Sequence, residues 1–306
     1  MIELADGNCR VQVAPEAGGA LARFTWRGID ILRPASGDAL AANHARGMAS
    51  YPLVPYSNRI GQGLLRAGSR THALRLNAPP EPHALHGVGW QRAWRVTDEA
   101  PTRVAMSLSQ VPDPDWPFRF ACAQVVELRG RRLEASLEIT NTDAVSFPAG
   151  LGFHPFFPAP AGTRLRTAWA AWWTVDATHL PVSRLPVPAE ADFREDRVLD
   201  GWRVDNPFTG WSREATFTYP THRTLLTASE ALGHAIAYSP GDGSFLALEP
   251  VSHTIDAFAL AAKGIGGTGA RYLGAGETWR VSMAIEVGEC CGREALEPQM
   301  NADERR

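Results

Sequence analysis

The sequence predicts an all-β protein, a large antiparallel β-sandwich built as a single domain. Short segments of alternating polarity, rich in Val, Leu, Phe, Thr and Trp, recur along the chain and are separated by Gly, Pro, Asn or Asp. Such segments are typical of strands joined by turns. No glycine-serine linker or internal repeat divides the 306 residues. We therefore expect one domain of two packed sheets, with a closed barrel as the alternative.

The predicted strands share this alternation and follow one another along the chain as CRVQVAP, ALARFTW, HALRLN, RVAMSLSQ, RFACAQVVEL, RLEASLEITN, EATFTYP, AIAYSP, SFLALEP and WRVSMAIEVG. In RFACAQVVELRGRRLEASLEITNT, the letters RGR predict a compact turn between two long paired strands. Residues 181–202 form the longest irregular segment, which we interpret as a surface excursion. The chain becomes polar near its end, so we expect a domain at 1–288 and a polar tail at 289–306.

Composition and charge exclude several functional classes. The net charge of -3 and the pI near 6.3 provide no positive field for nucleic acid or anionic lipid. The N-terminus lacks the pattern of a signal peptide, and no apolar run approaches the length of a membrane span. We expect a cytoplasmic protein without nucleic-acid or membrane partners. The four cysteines, which include the vicinal Cys290 and Cys291, form no CxxC pair and are interpreted as free thiols.

Metals and cofactors are not expected either. His83 and His86 are three residues apart, without the helix or carboxylate pattern of a zinc site. No glycine-rich phosphate cradle follows a strand and opens a helix, which disfavours nucleotides. We expect no metal and no cofactor.

Candidate functional residues come from polar side chains within otherwise apolar strand ends, because sheet proteins bind ligands on a concave face and its rim. Arg59, beside Asn58 in YPLVPYSNRIGQG, could fork onto two ligand hydroxyls or form a surface ion pair. His86, in HALHGVGW, precedes two glycines that let backbone approach a ligand closely. An ordinary turn histidine is the alternative.

Two further residues are unusual for their surroundings. His154 lies between phenylalanines in GLGFHPFFP, where burial disfavours imidazolium and a nearby carboxylate favours it. A satisfied core histidine is the alternative. Glu249, in SFLALEP, is the most anomalous carboxylate, because Glu is seldom buried without a partner or a task. It has either a catalytic role or a structural salt bridge, for which Arg59 is a candidate partner.

Taken in order, NRIGQG, HALHGVGW, GLGFHPFF, DNPFTGW and ALEP resemble the aldose 1-epimerase (galactose mutarotase) family from about residue 10 to residue 287. The resemblance implies a β-sandwich of the supersandwich type. It also implies Glu249 as general base, His154 as general acid, and Arg59, His86 and Asp205 as sugar-holding groups. Two positions depart from the family: Asn206 stands where His often follows the Asp, and Ile255 stands where Pro often precedes Asp256.

The implied reaction interconverts the α and β anomers of a free aldose without a cofactor. Glu249 would remove the proton of the C1 hydroxyl and His154 would protonate the ring oxygen, after which the open aldehyde rotates and closes. His86 could stabilise charge developing on the ring or C1 oxygen. Trp90, Phe156 and Trp211 could pack on a pyranose face or simply in the core.

Three other functions stay open at this point. A hexose-6-phosphate mutarotase would need an added cationic cluster for the phosphate. A glycoside hydrolase would use Asp205 and Glu249 as its paired carboxylates. A non-catalytic sugar-binding or sensing protein would keep the pocket without turnover. In each case the partner is a small carbohydrate, and we expect a monomer or a homodimer.

Overall fold

The computed structural model describes residues 1–290, whose regular structure consists mostly of β-strands. The chain begins with a four-stranded antiparallel sheet of consecutive strands: β1 (Ile2–Asp6), β2 (Cys9–Ala14), β3 (Ala20–Trp26) and β4 (Ile29–Asp30). A short helix and five short strands follow: α1 (Gly37–Ala41), β5 (Pro52–Leu53), β6 (Arg59–Ile60), β7 (Leu64–Ala67), β8 (Arg70–Ala73) and β9 (Ala84–Leu85). This first third supplies loops that later cover one sheet face.

The middle of the chain contains the longest hairpins and several short strands. These are β10 (Arg95–Ala100), β11 (Arg103–Gln110), β12 (Phe120–Arg129), β13 (Arg132–Asn141), β14 (Phe147–Ala149), β15 (Gly152–Phe153), β16 (Phe156–Pro158), β17 (Arg164–Thr167), β18 (Ala171–Val175), β19 (Pro181–Leu185), β20 (Arg197–Val198) and β21 (Val204–Thr209). The final elements are β22 (Glu214–Thr218), β23 (Arg223–Ala228), β24 (His234–Ser239), β25 (Phe245–Val251), α2 (Ala257–Ala262), β26 (Arg271–Leu273) and β27 (Thr278–Gly288). Single 3₁₀ turns span Ala45–Gly47, Gly61–Gly63, Gly89–Gln91 and Ala189–Ala191.

Two large antiparallel sheets form the sandwich. One has nine strands in the order β10-β11-β12-β13-β27-β23-β22-β17-β20, and the other has the order β19-β18-β21-β24-β25-β15-β5, with β16 also paired to β25. Their inner faces meet in a continuous apolar core, as where the rings of Phe157 and Phe217 stack with centroids 4.2 Å apart. The predicted all-β, single-domain sandwich is confirmed, and the barrel alternative is wrong.

Local predictions agree with most of the strands. The RGR turn joins β12 to β13, with Arg129 opposite Arg132 and Gly130 at a φ of 58°, a conformation that favours glycine. HALRLN, in contrast, is strand only at its first two residues, His72 and Ala73. The 181–202 excursion also carries the short strands β19 and β20 and buries Phe193.

β27 ends at Gly288, the residue at which the sequence predicts the domain to end. Cys9, Cys122 and Cys290 are free thiols, as expected. Cys291 and the rest of the predicted polar tail, residues 291–306, lie outside the described residues. Neither helix of residues 1–290 has the length and apolar character needed to cross a lipid bilayer.

Candidate active site

A cavity of about 280 Å³ opens on the face of the eight-stranded sheet that points away from the sandwich core. Its walls come from the sheet and from loops of the first third of the chain. They are Arg33, Arg46, Tyr51, Asn58, Arg59, Glu81, Leu85, His86, His154, Phe156, Asp205, Tyr238, Phe245 and Glu249. Thus seven of the nine residues expected to bind or transform a ligand, Asn58 among them, line one cavity.

Strand register explains how the sheet builds the cavity floor. Asp205 pairs with Tyr238, Tyr238 with Ala247, and Ala247 with Phe156, so these four residues form one row across four strands. Residues directly opposite one another in a sheet project from the same face. Because side chains alternate along a strand, Glu249, two residues after Ala247, projects from that face as well. Leu246 and Leu248 of the same strand belong to the sandwich core instead.

Glu249 and His154 are in direct contact. The distance from Glu249 Oε1 to His154 Nε2 is 3.1 Å, and both residues are buried. The salt bridge considered between Glu249 and Arg59 is wrong, since the partner of Glu249 is His154. Glu249 Oε2 and His154 Nδ1 have no hydrogen-bond partner among the described residues, which is rare for buried polar atoms. The pair therefore has unused hydrogen-bonding capacity inside a ligand-sized cavity.

Burial pushes both members of this pair toward their uncharged forms. It raises the pKa of Glu249 well above its usual value, with the charge of Asp205 adding to the effect and that of Arg59 opposing it. It lowers the pKa of His154 to about 3, and the charges of Arg33 and Arg46 act in the same direction. Burial therefore favours a neutral imidazole beside a neutral carboxyl group, and two groups this close titrate as one coupled unit.

The position and tautomer of His86 are set by Asn58. The backbone N–H of Asn58 donates to His86 Nδ1 at 3.0 Å, and the backbone N–H of His86 donates to the Asn58 carbonyl at 2.8 Å. A neutral imidazole that accepts at Nδ1 carries its proton at Nε2. Burial, followed by the charge of His154, holds the pKa of His86 well below its usual value. His86 is therefore a neutral Nε2–H donor.

The two glycines after His86 pack closely against Val54. A Cβ on Gly87 would lie 2.2 Å from the carbonyl oxygen of Val54, and one on Gly89 would lie 2.4 Å from Val54 Cγ1. The glycines allow the segment at 84–91 to pack tightly against Val54, which fixes the place of His86.

Arg59 and Asp205 lie in a small ionic cluster at the cavity wall. Arg59 Nη2 is 3.2 Å from Glu81 Oε2 and 3.7 Å from Asp205 Oδ2, while His179 Nδ1 is 3.0 Å from the same Asp205 oxygen. Burial raises the pKa of Asp205, although Arg59 and His179 oppose this shift. Arg59 also donates to the side-chain oxygen of Asn58 at 3.2 Å. The cluster holds a guanidinium and a carboxylate ready for polar ligand groups.

The three aromatic candidates fall in different places. Phe156 lines the cavity, and its ring stacks on His154 with centroids 4.5 Å apart. Trp211 is wrong as a sugar-contacting residue: it is buried in the sandwich core, where its Nε1–H donates to Thr167 Oγ1. Trp90 is not a wall residue either, since it is buried beside Tyr51 and its Nε1–H donates to the carbonyl of Leu85.

Sequence reasoning missed several wall residues: Arg33, Arg46, Tyr51, Glu81, Tyr238 and Phe245. Tyr51 stacks on His154 with ring centroids 4.6 Å apart, so this histidine ring is bounded by Tyr51 and Phe156. Tyr51 belongs to the same quoted segment as Asn58. Tyr238, the tyrosine in AIAYSP, could have been inferred from its position on the strand that neighbours the strand of Glu249. Arg33 and Arg46 lie in segments without a strand pattern.

One set of metal-type ligands is found within residues 1–290. Atoms of His86, His154 and Glu249 lie within 4.8 Å of one another, and two imidazoles with a carboxylate are a donor set that zinc accepts. Zinc bonds of about 2.0–2.2 Å would require these atoms to converge further. In their present places His154 and Glu249 are spaced as hydrogen-bonding partners.

The two sheets form a β-sandwich, and a likeness to solved structures gives its class as galactose mutarotase-like. A family model described as aldose 1-epimerase matches residues 1–286. The chain therefore belongs to the aldose 1-epimerase family.

Several known proteins resemble this chain at low identity. The uncharacterized protein YphB of Escherichia coli K12 is 26% identical over 83% of this chain and 88% of its own. A galactose mutarotase-like protein from Clostridium acetobutylicum has a TM-score of 0.84 at 17% identity, covering 94% of this chain and 95% of its own. A GalM/aldose epimerase homologue from C. elegans has a TM-score of 0.79 at 19% identity, covering 94% and 98%. These structural likenesses establish the fold.

Proposed function

We propose that this protein is a mutarotase that interconverts the α and β anomers of an aldose without a cofactor. The observation that carries the proposal is the contact between Glu249 Oε1 and His154 Nε2, 3.1 Å long, inside a cavity on the sheet face. The reaction moves protons at two oxygens bonded to the same carbon, the C1 hydroxyl and the ring oxygen. Because the two buried groups are one hydrogen bond apart, they can exchange protons with both oxygens.

The number of protons that Glu249 and His154 hold together suits anomer exchange. Transfer of the Glu249 carboxyl proton to the His154 imidazole gives a carboxylate and an imidazolium, and the net charge of the pair does not change. Glu249 then takes the proton of the C1 hydroxyl and His154 gives its proton to the ring oxygen, breaking the C1–ring oxygen bond and leaving the open aldehyde. Glu249 is then a neutral carboxyl group, and His154 is a neutral imidazole. After rotation about C1–C2, ring closure reverses each transfer and restores the starting arrangement.

The remaining wall residues are assigned to holding the sugar. His86 is a neutral Nε2–H donor and can hydrogen-bond the ring or C1 oxygen as negative charge develops there. Arg59, Asn58 and Asp205 offer charged and amide groups to ring hydroxyls. Phe156 offers an aromatic surface beside His154, which suits the apolar face of a pyranose.

The test is anomer exchange measured with the Glu249→Gln variant. Purified protein without added metal or nucleotide should speed the optical-rotation change of freshly dissolved α-D-glucose or α-D-galactose. Glutamine keeps the size of the side chain but accepts no proton, so kcat should fall by about 10²- to 10⁴-fold while sugar binding persists. Glu214→Gln, an exposed change on β22, is the matched control and should keep full activity. An undiminished rate in Glu249→Gln would falsify the assignment.

The same protein preparation separates the rival functions. A glycoside hydrolase would release free sugar from aryl glycosides, whereas a mutarotase would leave them intact. Asp205 is already engaged by Arg59 and His179, which favours a holding role over that of a second catalytic carboxyl group. A sensing protein would bind sugar saturably without accelerating exchange.

A further inference from the structure

Two arginines of the cavity wall have no carboxylate partner among residues 1–290. Arg33 follows β4, and Arg46 lies in the 3₁₀ turn Ala45–Gly47. Arg59, the third cavity arginine, is paired with Glu81 and Asp205. The wall therefore has one arginine whose charge is balanced and two whose charges are not.

Arg33 is fixed in place by neutral groups. Its Nη2 donates to the backbone carbonyls of Arg46 and Met48 at 3.4 and 3.2 Å. Its guanidinium carbon lies 3.8 Å from the centroid of Phe156 and 4.6 Å from that of Phe245, an arrangement in which the ring faces attract the cation. None of these contacts neutralises the charge, so Arg33 presents a preorganised guanidinium to the cavity.

Arg46 keeps its donors available. Its side chain is exposed and makes no hydrogen bond or ion pair within the described part of the chain, although it lines the cavity. Its charge nevertheless acts on the catalytic groups: together with burial, it lowers the pKa of both His86 and His154. An anion bound between Arg33 and Arg46 would relieve this unbalanced positive field.

The chemistry of a pyranose indicates which substituent would reach these arginines. The ring oxygen assigned to His154 is bonded to C5, and C5 carries the exocyclic C6 group. Phe156 stacks on the His154 ring, and Arg33 packs on Phe156. A group at C6 is thus close to the atom that His154 protonates, in the part of the cavity toward which Arg33 is held.

We propose that the preferred substrate is an aldose with an anionic group, namely a phosphate, sulfonate or carboxylate, on its exocyclic carbon, bound by Arg33 and Arg46. This inference rests on the proposed mutarotase function and names the substrate class of the same site. Arginine suits each of these anions because its planar fork donates two hydrogen bonds to paired oxygens.

Magnetisation-exchange NMR of the anomeric protons tests the substrate class at equilibrium, where no pure anomer is needed. Glucose, glucose 6-phosphate, 6-deoxy-6-sulfoglucose and glucuronate are compared after subtraction of the spontaneous exchange. At least one anionic sugar should exceed glucose in kcat/KM by about tenfold or more, as expected for charge-assisted hydrogen bonds. That advantage should shrink at high salt, because Arg46 is exposed to screening.

Variants assign the advantage to the arginines. Arg46→Gln should lower kcat/KM for the anionic sugar by about 10- to 100-fold more than it changes kcat/KM for glucose, so that the ratio of the two values falls. Arg33→Gln should act in the same direction and serves as the second variant. Arg70→Gln, an exposed change on β8, is the matched control. If glucose is converted as fast as every anionic sugar, or if Arg46→Gln slows both kinds of sugar equally, the inference is wrong.

Binding to the Glu249→Gln protein separates this inference from the proposed function. Tighter binding of glucose 6-phosphate than of glucose, lost in the Glu249→Gln/Arg46→Gln double variant, would support the anion site even if no exchange were catalysed. Catalysed exchange of glucose with equal binding of all four sugars would support the mutarotase and overturn the anion site.

Discussion

A single methyl group added at Gly150 should damage both the stability and the activity of this protein. A Cβ at this position would lie 2.1 Å from both Cδ2 and Nε2 of the His253 ring. His253 is buried, and its Nε2 accepts the backbone N–H of Ser57 at 3.1 Å. The ring must move, and the Ser57 donor, immediately before Asn58 and Arg59, then loses its partner.

The expected cost follows from these two effects. Overpacking a filled core costs about 1–3 kcal/mol, and a buried donor without a partner costs about 1–3 kcal/mol. We therefore expect Gly150→Ala to lower the free energy of unfolding by about 2–6 kcal/mol. Because net stabilities are about 5–15 kcal/mol, part of the protein should still fold. Its kcat/KM should fall as well, since Asn58 and Arg59 follow the displaced donor.

Urea unfolding followed by tryptophan fluorescence gives the free energies, and a double-mutant cycle isolates the cause. In a His253→Ala background the clash is absent, so Gly150→Ala should cost less than about 1 kcal/mol. Gly37→Ala is the control, since a Cβ there meets nothing within 4 Å. Costs of Gly150→Ala that are equal in the two backgrounds, within about 0.5 kcal/mol, would refute this account of the Gly150–His253 contact.

Two further predictions concern pH dependence and the sandwich core. Burial lowers the pKa of His234 from 6.5 to about 4, so its contribution to stability is complete above pH 6.5 and is lost as the pH falls through 4. At about 1.4 kcal/mol per pKa unit, this amounts to about 3 kcal/mol; in urea titrations across this range, His234→Gln should lose less stability than the parent. An identical loss would contradict this. Trp211→Phe removes a buried donor to Thr167 and should cost about 1–3 kcal/mol without changing KM. A raised KM would contradict this prediction and indicate that Trp211 takes part in the site.

The fold was predictable from local patterns because one sheet face is buried and strand side chains alternate. β12, for example, buries Phe120, Cys122, Val126 and Leu128 on alternate positions. Two-residue strands such as β5 leave no periodic signal. Their pairing with distant segments, rather than their own composition, makes them strands.

The catalytic candidates were predictable because they are anomalous where they stand. Glu249 is a carboxylate in an apolar strand, and His154 is an imidazole among phenylalanines. The partners of the site residues were harder to predict, because the sequence does not show which acidic side chain Arg59 contacts. Arg33 and Arg46 gave no signal, since arginine is common in this chain and their surroundings are irregular. Only the folded cavity shows that these two charges are unbalanced.

The link from Ser57 to His253 also bears on how the protein is made. These residues are 196 positions apart, and the backbone N–H of Gly61 similarly donates to Asp256, 195 positions away. On a ribosome the turn carrying Asn58 and Arg59 waits for nearly the whole domain to be synthesised before it acquires these bonds. Contacts of such long range form slowly, so ligand binding in this cavity should appear only after β25 has joined its sheet. Recovery of ligand affinity during refolding would then report completion of the native topology.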